Sequence, residues 1–353
     1  MTQSLALRDA LVQLHDTSGP RPAPPLMERV ALELFEGQGT PALVGAFLAS
    51  LAQRGETPAD VAAFAGIMKS KATAMPVPDG WEPVDLCGTG GDHAGTFNIS
   101  TAASFVVAAA GVPVAKHGNR AASSKCGSAD VLEALGVEIT AVPERMREAL
   151  ASCRICFMFA QVYHGAMRHV APIRRELGIR TIFNLLGPLT NPAGIRRQLV
   201  GVGSELAFDL YPETLRHLGV THALVVRGYG GLDEITPFGS TRIREVTADG
   251  VKDYSIHPGD FGRPEYDLAG LAAGDSPAAN AHIMREVLGG IDCGARREAV
   301  LYNAAGGLLV GGRVQDLAAG IALAEETIDS GDASRCLDAF VGATRPIDPM
   351  VAD

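Results

Sequence analysis

The chain has 353 residues, 47% of them hydrophobic and 20% charged, with a formal net charge of −10. That balance supports a large globular core. It lacks the basic excess of a nucleic-acid binder, and a polyanionic small substrate would need local cations or a metal ion against the overall field. Six cysteines without a disulfide-like framework point to a reduced, intracellular setting. Met1 to Leu14 mixes acid and base into its apolar pattern, unlike a signal peptide. No apolar run approaches the ~20 residues of a membrane span, so the expected location is the cytoplasm, away from membranes.

Residues 1–75 read as helical. Leu5, Leu7, Leu11 and Leu14 form a first apolar stripe, and the Gly19 to Pro25 run breaks it. Val30, Leu32, Leu34 and Phe35 mark a second helix. Thr40-Pro41 and Thr57-Pro58 each place a capping hydroxyl before a proline suited to the first helical position. They open a third helix carrying Leu43 to Leu51 and a fourth from Ala59 to about Ser70. Met75 to Gly80 reads as a linker.

From Val84 the pattern alternates strand and helix. Strands are expected at Val84–Cys87, Val112–Ala115, Val137–Ile139, Ile155–Phe159, Gln198–Val202 and Ala223–Arg227. A hairpin runs Thr241–Val246 to Val251–Tyr254 through Asp249-Gly250. Residues 160–192 look inserted, and helices dominate from Ala278 onward. The fold class is therefore α/β: a small all-helical domain, 1–78, joined by the inserted helical segment at about 165–192. A large domain, 79–353, holds a mainly parallel central sheet flanked by helices. Ligands of such sheets bind beyond the carboxyl ends of the strands.

The stretch Gly88-Thr89-Gly90-Gly91-Asp92 sits at such an end, and Asn98-Ile99-Ser100-Thr101 then opens an apolar helix. Glycines that free the backbone N–H groups, with a helix N-terminus behind them, make an anion cradle. One of Asn98, Ser100 and Thr101 is expected to cap the helix, leaving surplus oxygens for a phosphate or a metal-bound ligand. Lys116 to Asp130 reads as a small-residue loop with Lys116, His117, Asn119 and Arg120 close together, suited to a phosphate. His117 is equally suited to a structural place or to substrate. Arg168, Arg174, Arg175 and Arg180 read mostly as a solvated helix face, with one available to an acid substrate. Asp233-Glu234 suits Mg²⁺, which takes one or two carboxylates plus substrate phosphate and water. Cys153-Arg154-Ile155-Cys156 lacks a second pair for zinc and reads as packing.

Together with Gly178 to Pro192 and Gly231 to Glu234, these stretches resemble anthranilate phosphoribosyltransferases, in order from about Thr40 to Leu337. The resemblance implies a nucleoside phosphorylase/phosphoribosyltransferase-like fold. The implied reaction is the tryptophan-biosynthetic transfer from phosphoribosyl pyrophosphate (PRPP) to anthranilate, with Mg²⁺, in a homodimer joined through the small helical domain. By motif position, PRPP would meet Gly88, Gly91, Asp92, Thr96, Asn98, Ile99, Ser100, Thr101, Lys116, His117, Gly118, Asn119, Arg120, Ala121, Ala122, Ser123, Ser124 and Ser128. Anthranilate would meet Gly88, Asn119 and Arg174, with His117, His164 and Pro188 nearby, and Ser100, Asp233 and Glu234 would hold Mg²⁺. Lys116 and Asp92 would act by charge and position, with no general base, because an aromatic amine is already a neutral nucleophile. Gln161 and Gly165 stand where the family often has proline. A related transferase acting on another aromatic acid or a nucleoside is the alternative enzyme. A non-catalytic nucleic-acid-binding relative is the alternative class.

Overall fold

A computed structural model describes residues 5–121 and 125–345. Four helices come first: α1 (Ala6–His15), α2 (Pro24–Phe35), α3 (Pro41–Arg54) and α4 (Pro58–Ser70). The Thr40 hydroxyl accepts from Leu43 N, and Thr57 with Asp60 closes a reciprocal capping box, as the Thr-Pro pairs predict. The proline run does more than interrupt: Pro24 itself opens α2, since a proline at the first position has no N–H to leave unpaired.

The remaining elements are β1 (Val84–Gly88), α5 (Ile99–Ala109), β2 (Val114–Gly118), α6 (Ser128–Ala134), α7 (Pro143–Cys153), β3 (Ile155–Phe159), α8 (Ala160–Tyr163), α9 (Ala171–Leu177) and α10 (Phe183–Leu186). Then come β4 (Arg197–Gly201), α11 (Glu205–His217), β5 (His222–Arg227), β6 (Thr241–Thr247), β7 (Gly250–Ile256), α12 (Pro277–Leu288), α13 (Ala295–Val310), α14 (Leu317–Asp329) and α15 (Asp332–Thr344). The sheet order is β3-β2-β1-β4-β5-β6-β7. Strands β1 to β5 pair in parallel, while β6 and β7 extend the edge as an antiparallel hairpin.

Side chains alternate between the two faces of a strand, and that alternation sorts the core. Leu199, Leu224 and Val226 face one apolar cluster with α5 and α13. Val200, Ala223 and Val225 face another, which is continuous with α1–α4 and the segment before β4. Phe183 fastens that segment to the helical unit by edge-on contacts with Phe35 at 5.9 Å and Phe64 at 6.1 Å.

Three expectations fail locally. Val137–Ile139 is not a strand: Val137 N bonds back to Leu132 O, Glu138 N bonds to Thr344 Oγ1, and the two apolar side chains are buried without joining the sheet. Lys116, His117 and Gly118 lie in β2, not in the loop after it, because the β3 register pairs them with Phe157, Met158 and Phe159. Asn98 precedes α5 without making a cap bond; its Nδ2 donates to the Cys126 carbonyl at 3.1 Å.

Candidate active site

The carboxyl ends of β1, β2 and β4 open into a cleft of about 1620 Å³. Every site residue expected from the sequence lines it, except Ala122, Ser123 and Ser124, which lie outside the described residues.

The glycine loop turns through the left-handed region at Gly90 (φ 66°) and Gly91 (φ 80°), where a Cβ would be strained. Its position is fixed from the β4 side: Thr89 N donates to the Gly201 carbonyl at 2.9 Å, and Gly203 N donates to Thr89 Oγ1 at 3.2 Å. From the far side, Thr96 bridges to Ala272. Asn98, at the N-terminus of α5, makes no side-chain cap bond; the Glu234 carboxylate takes the Ser100 N–H in the first turn instead, so the positive end of the helix faces the loop and this acid. Ile99 and Thr101 are buried at the edge of the cleft.

The acids converge on the loop. Gly90 N donates to Asp233 Oδ2 at 2.8 Å. Burial, and then the charge of Asp92, push the Asp233 carboxyl up to about 7. Burial and Asp233 push Glu234 well above the carboxylate range, opposed by Lys116. Asp92 Oδ2 is buried with no hydrogen-bond partner among the described residues. Lys116, buried in β2, donates from Nζ to the Leu86 carbonyl and to Ser100 Oγ, the latter at 3.4 Å. Like charges crowded around an unpartnered oxygen fit a divalent cation, and the all-oxygen set Ser100, Asp233 and Glu234 suits Mg²⁺. Among the described residues no three His, Cys, Asp or Glu side chains form a metal cage, so substrate oxygens would have to complete the shell.

The opposite wall carries aromatic, imidazole and guanidinium groups. His117 Nδ1 lies 3.1 Å from the Gly187 carbonyl, and its Nε2 lies 3.2 Å from His164 Nε2. Arg174, half-buried on α9, stacks its guanidinium 5.2 Å from the Phe183 ring, and burial lowers its pKa. No carboxylate among the described residues pairs with it. Arg168, Arg175 and Arg180 are exposed but line the same cleft; among the described residues only Arg180 of the three meets an acid, Glu56 at 4.0 Å. The cluster is a cleft wall and not a free helix face.

Arg120 departs from its expected role as an open phosphate ligand. Its guanidinium is held by Asp130 at 2.9 Å and Glu133 at 2.8 Å, and lies 5.6 Å from the Phe159 ring. The same Asp130 accepts from Ala121 N and Gly127 N, so this arginine braces the loop. Asn119 and Ser128 are tied to each other, Ser128 Oγ donating to the Asn119 carbonyl at 3.2 Å. Cys153 and Cys156 are packing residues as read from the sequence: Cys156 is fully buried in β3, and Cys153 packs against the same core.

Comparison with known proteins agrees with this arrangement. Residues 81–334 match the glycosyl transferase family, a/b domain, and residues 18–72 its helical bundle domain. An anthranilate phosphoribosyltransferase of Rubrobacter xylanophilus is 48% identical over 90% of this chain and 92% of its own length. One from Rhodospirillum rubrum is 49% identical over 90% and 93%. The chain belongs to the anthranilate phosphoribosyltransferase family. Among solved members of the family, that of Thermus thermophilus superposes with a TM-score of 0.90 at 41% identity, covering 97% of this chain and all of that one. The Saccharomyces cerevisiae enzyme in complex with PRPP and Mg gives 0.87 at 28% identity, covering 97% and 98%.

Sequence reasoning missed some residues that brace the cleft from behind. Asp85 and Asn191, whose side chains meet in the core at 2.8 Å, are not among the site residues expected from the sequence. Tyr211 donates to the Leu185 carbonyl at 2.6 Å and steadies the turn that carries Pro188. An acid placed between Val84 and Leu86 was the one available signal for Asp85. Tyr211 gave none, because an aromatic on a helix reads as core.

Proposed function

We propose that this protein transfers the 5-phosphoribosyl group of PRPP to the amino group of anthranilate, releasing pyrophosphate, and that it needs Mg²⁺. The observation that carries the reading is the meeting, in one cleft, of a glycine loop and helix N-terminus with Asp233 and Glu234 on one side and the acid-free Arg174 on the other.

The loop Gly88 to Asp92, the start of α5 and Lys116 hold the phosphates of PRPP through N–H donors and one buried cation. Asn119, Gly118, Ala121 and Ser128 bound the far side of the ribose. Ser100, Asp233 and Glu234 hold Mg²⁺, which when bound supplies charge to stabilise the departing pyrophosphate. Breaking the bond at the anomeric carbon leaves positive charge on the sugar and negative charge on the leaving group. Asp92 faces the first and Lys116 the second.

Anthranilate fits the opposite wall, its carboxylate at Arg174 and its ring against Pro188 and the neutral imidazoles. Gly187 can only accept, so His117 carries its hydrogen on Nδ1, and His164 then donates from its own Nε2 to His117 Nε2. Both nitrogens of His117 are engaged, which leaves no lone pair to serve as a general base. The amine is nucleophilic without one, and rate comes from holding it in line with the sugar.

The test is anthranilate fluorescence, followed with PRPP and Mg²⁺ together and with each omitted. Consumption only in the complete mixture is expected. No consumption across the neutral pH range rejects the reading.

A further inference from the structure

Asp85 lies in the middle of β1 with no exposed surface, and the reaction above does not use it. A carboxyl in that place is costly unless its oxygens are engaged, and both are. Oδ2 accepts from Asn191 Nδ2 at 2.8 Å, and Oδ1 accepts from the backbone N–H of His117 at 3.3 Å. Asn191 Nδ2 also donates to the Ala115 carbonyl at 2.8 Å, and its Oδ1 accepts from Ala193 N at 2.9 Å. A donor on each side demands two acceptor oxygens, which a carboxylate provides and an amide does not. Burial raises the Asp85 carboxyl, while the charge of Lys116 and these donors oppose the rise.

The bonds form a closed ring. It runs from Asp85 to His117, from the His117 ring to the Gly187 carbonyl, and along the turn through Pro188 to Asn191, which returns to Asp85. Within the turn, the Thr190 hydroxyl donates to the Leu186 carbonyl at 3.1 Å. The members that reach the cleft are His117, Gly187, Pro188 and Thr190, with His164 hung on His117. All of them lie on the acceptor side. The glycine loop is instead anchored on β4 and Asp233, and no bond of the ring supports it.

We propose that Asp85 is a positioning residue for the aromatic acceptor, setting the spacing between His117 and Pro188 from behind the pocket. The inference rests on the functional reading above. Steady-state kinetics in each substrate on the full chain, for wild type, Asp85→Asn, Asn191→Ala and the double variant, test it. Each single change is expected to raise KM for anthranilate at least about tenfold, the order of a lost hydrogen bond to a buried charge, while KM for PRPP moves less than about threefold in Asn191→Ala, which leaves the Asp85 charge beside Lys116 in place. The double variant is expected to be no worse than the poorer single, because both changes cut one ring. A parallel rise in both KM values of Asn191→Ala, no change in either, or effects on anthranilate that multiply in the double variant would overturn the proposal. If Asp85→Asn loses its cooperative melt, Asn191→Ala carries the test by the same split. A wild type that never consumes anthranilate sinks the functional reading instead, before any variant is compared.

Discussion

His164 Nε2 lies 3.2 Å from His117 Nε2, with ring centroids 5.0 Å apart and planes at 62°. Burial depresses His164 to about 4 and, with His164 beside it, His117 to about 3. Unfolded histidine titrates near 6.5, so the unfolded chain binds more protons between that value and the folded ones. The stability is complete above pH ~6.5 and is lost as pH falls toward 4, by up to about 1.4 kcal/mol per unit for each ring. Melting at pH 7.5 and at pH 5 should show this drop, and His164→Gln, which keeps a donor but cannot titrate, should shrink it. An equal drop in the variant would mean that the pair is not neutral.

Asp233 is boxed in by two glycines. A Cβ at Gly88 would collide with its carboxylate, and one at Gly201 with its backbone carbonyl. A side chain can swing away; a main-chain carbonyl in the loop after β5 cannot without moving the loop. Gly88→Ala should therefore fold nearly normally yet lose activity at least about a hundredfold, through the displaced acid. Gly201→Ala should lose stability by about 2 kcal/mol or more through overpacking. Thermal melts paired with kcat separate the two, and a Gly88→Ala enzyme of near wild-type activity would remove Asp233 from the proposed metal site.

Where the sequence was legible, the reason was local. Strands buried on both faces in a parallel sheet show as apolar runs, so the expected bounds of β1, β3, β4 and β5 agree with the structure nearly to the residue. The Thr-Pro starts of α3 and α4 announced themselves through capping chemistry. The glycine loop, Asp233-Glu234 and Lys116 show in the sequence as residue types suited to phosphate and metal, and the fold brings them into one cleft. The misreadings share one cause: long-range contact overrode local character. Lys116 and His117 look like loop residues because they are polar, yet β3 supplies the hydrogen bonds that continue β2 through them. Val137 and Ile139 look like strand residues because they are apolar, yet no strand among the described residues lies alongside to pair with them. Asp85 meets Asn191 across 106 positions of sequence, which no local pattern can report.

The acids at the site carry a folding cost. Burial and mutual repulsion raise both Asp233 and Glu234, so the metal-free protein is strained there. Asp233→Asn removes one charge and keeps an oxygen to accept from Gly90 N. The variant should melt at the same temperature as wild type or higher without Mg²⁺, by up to about 1 kcal/mol in stability, while kcat falls at least about a hundredfold. Added Mg²⁺ and PRPP should raise the wild-type melting temperature and leave the variant's unmoved. A variant that melts markedly lower than wild type in the absence of metal would contradict the repulsion.

Three exposed arginines, Arg168, Arg175 and Arg180, stand on the wall of a cleft in a protein of net charge −10. Of these, Arg168 and Arg175 have no ion-pair partner among the described residues. A local cationic wall inside a repulsive overall field raises the encounter rate of an anion more than its final affinity. Screening lengths shrink from about 30 Å at 0.01 M salt to about 8 Å at 0.15 M, so the effect belongs to low ionic strength. Stopped-flow association of PRPP with Mg²⁺ should slow with salt in wild type. In Arg168→Gln/Arg175→Gln it should be several-fold slower at low salt and respond less to added salt, with kcat unchanged. If the two proteins keep the same salt slope, these side chains do not steer, and the wall is cationic only because its helix is.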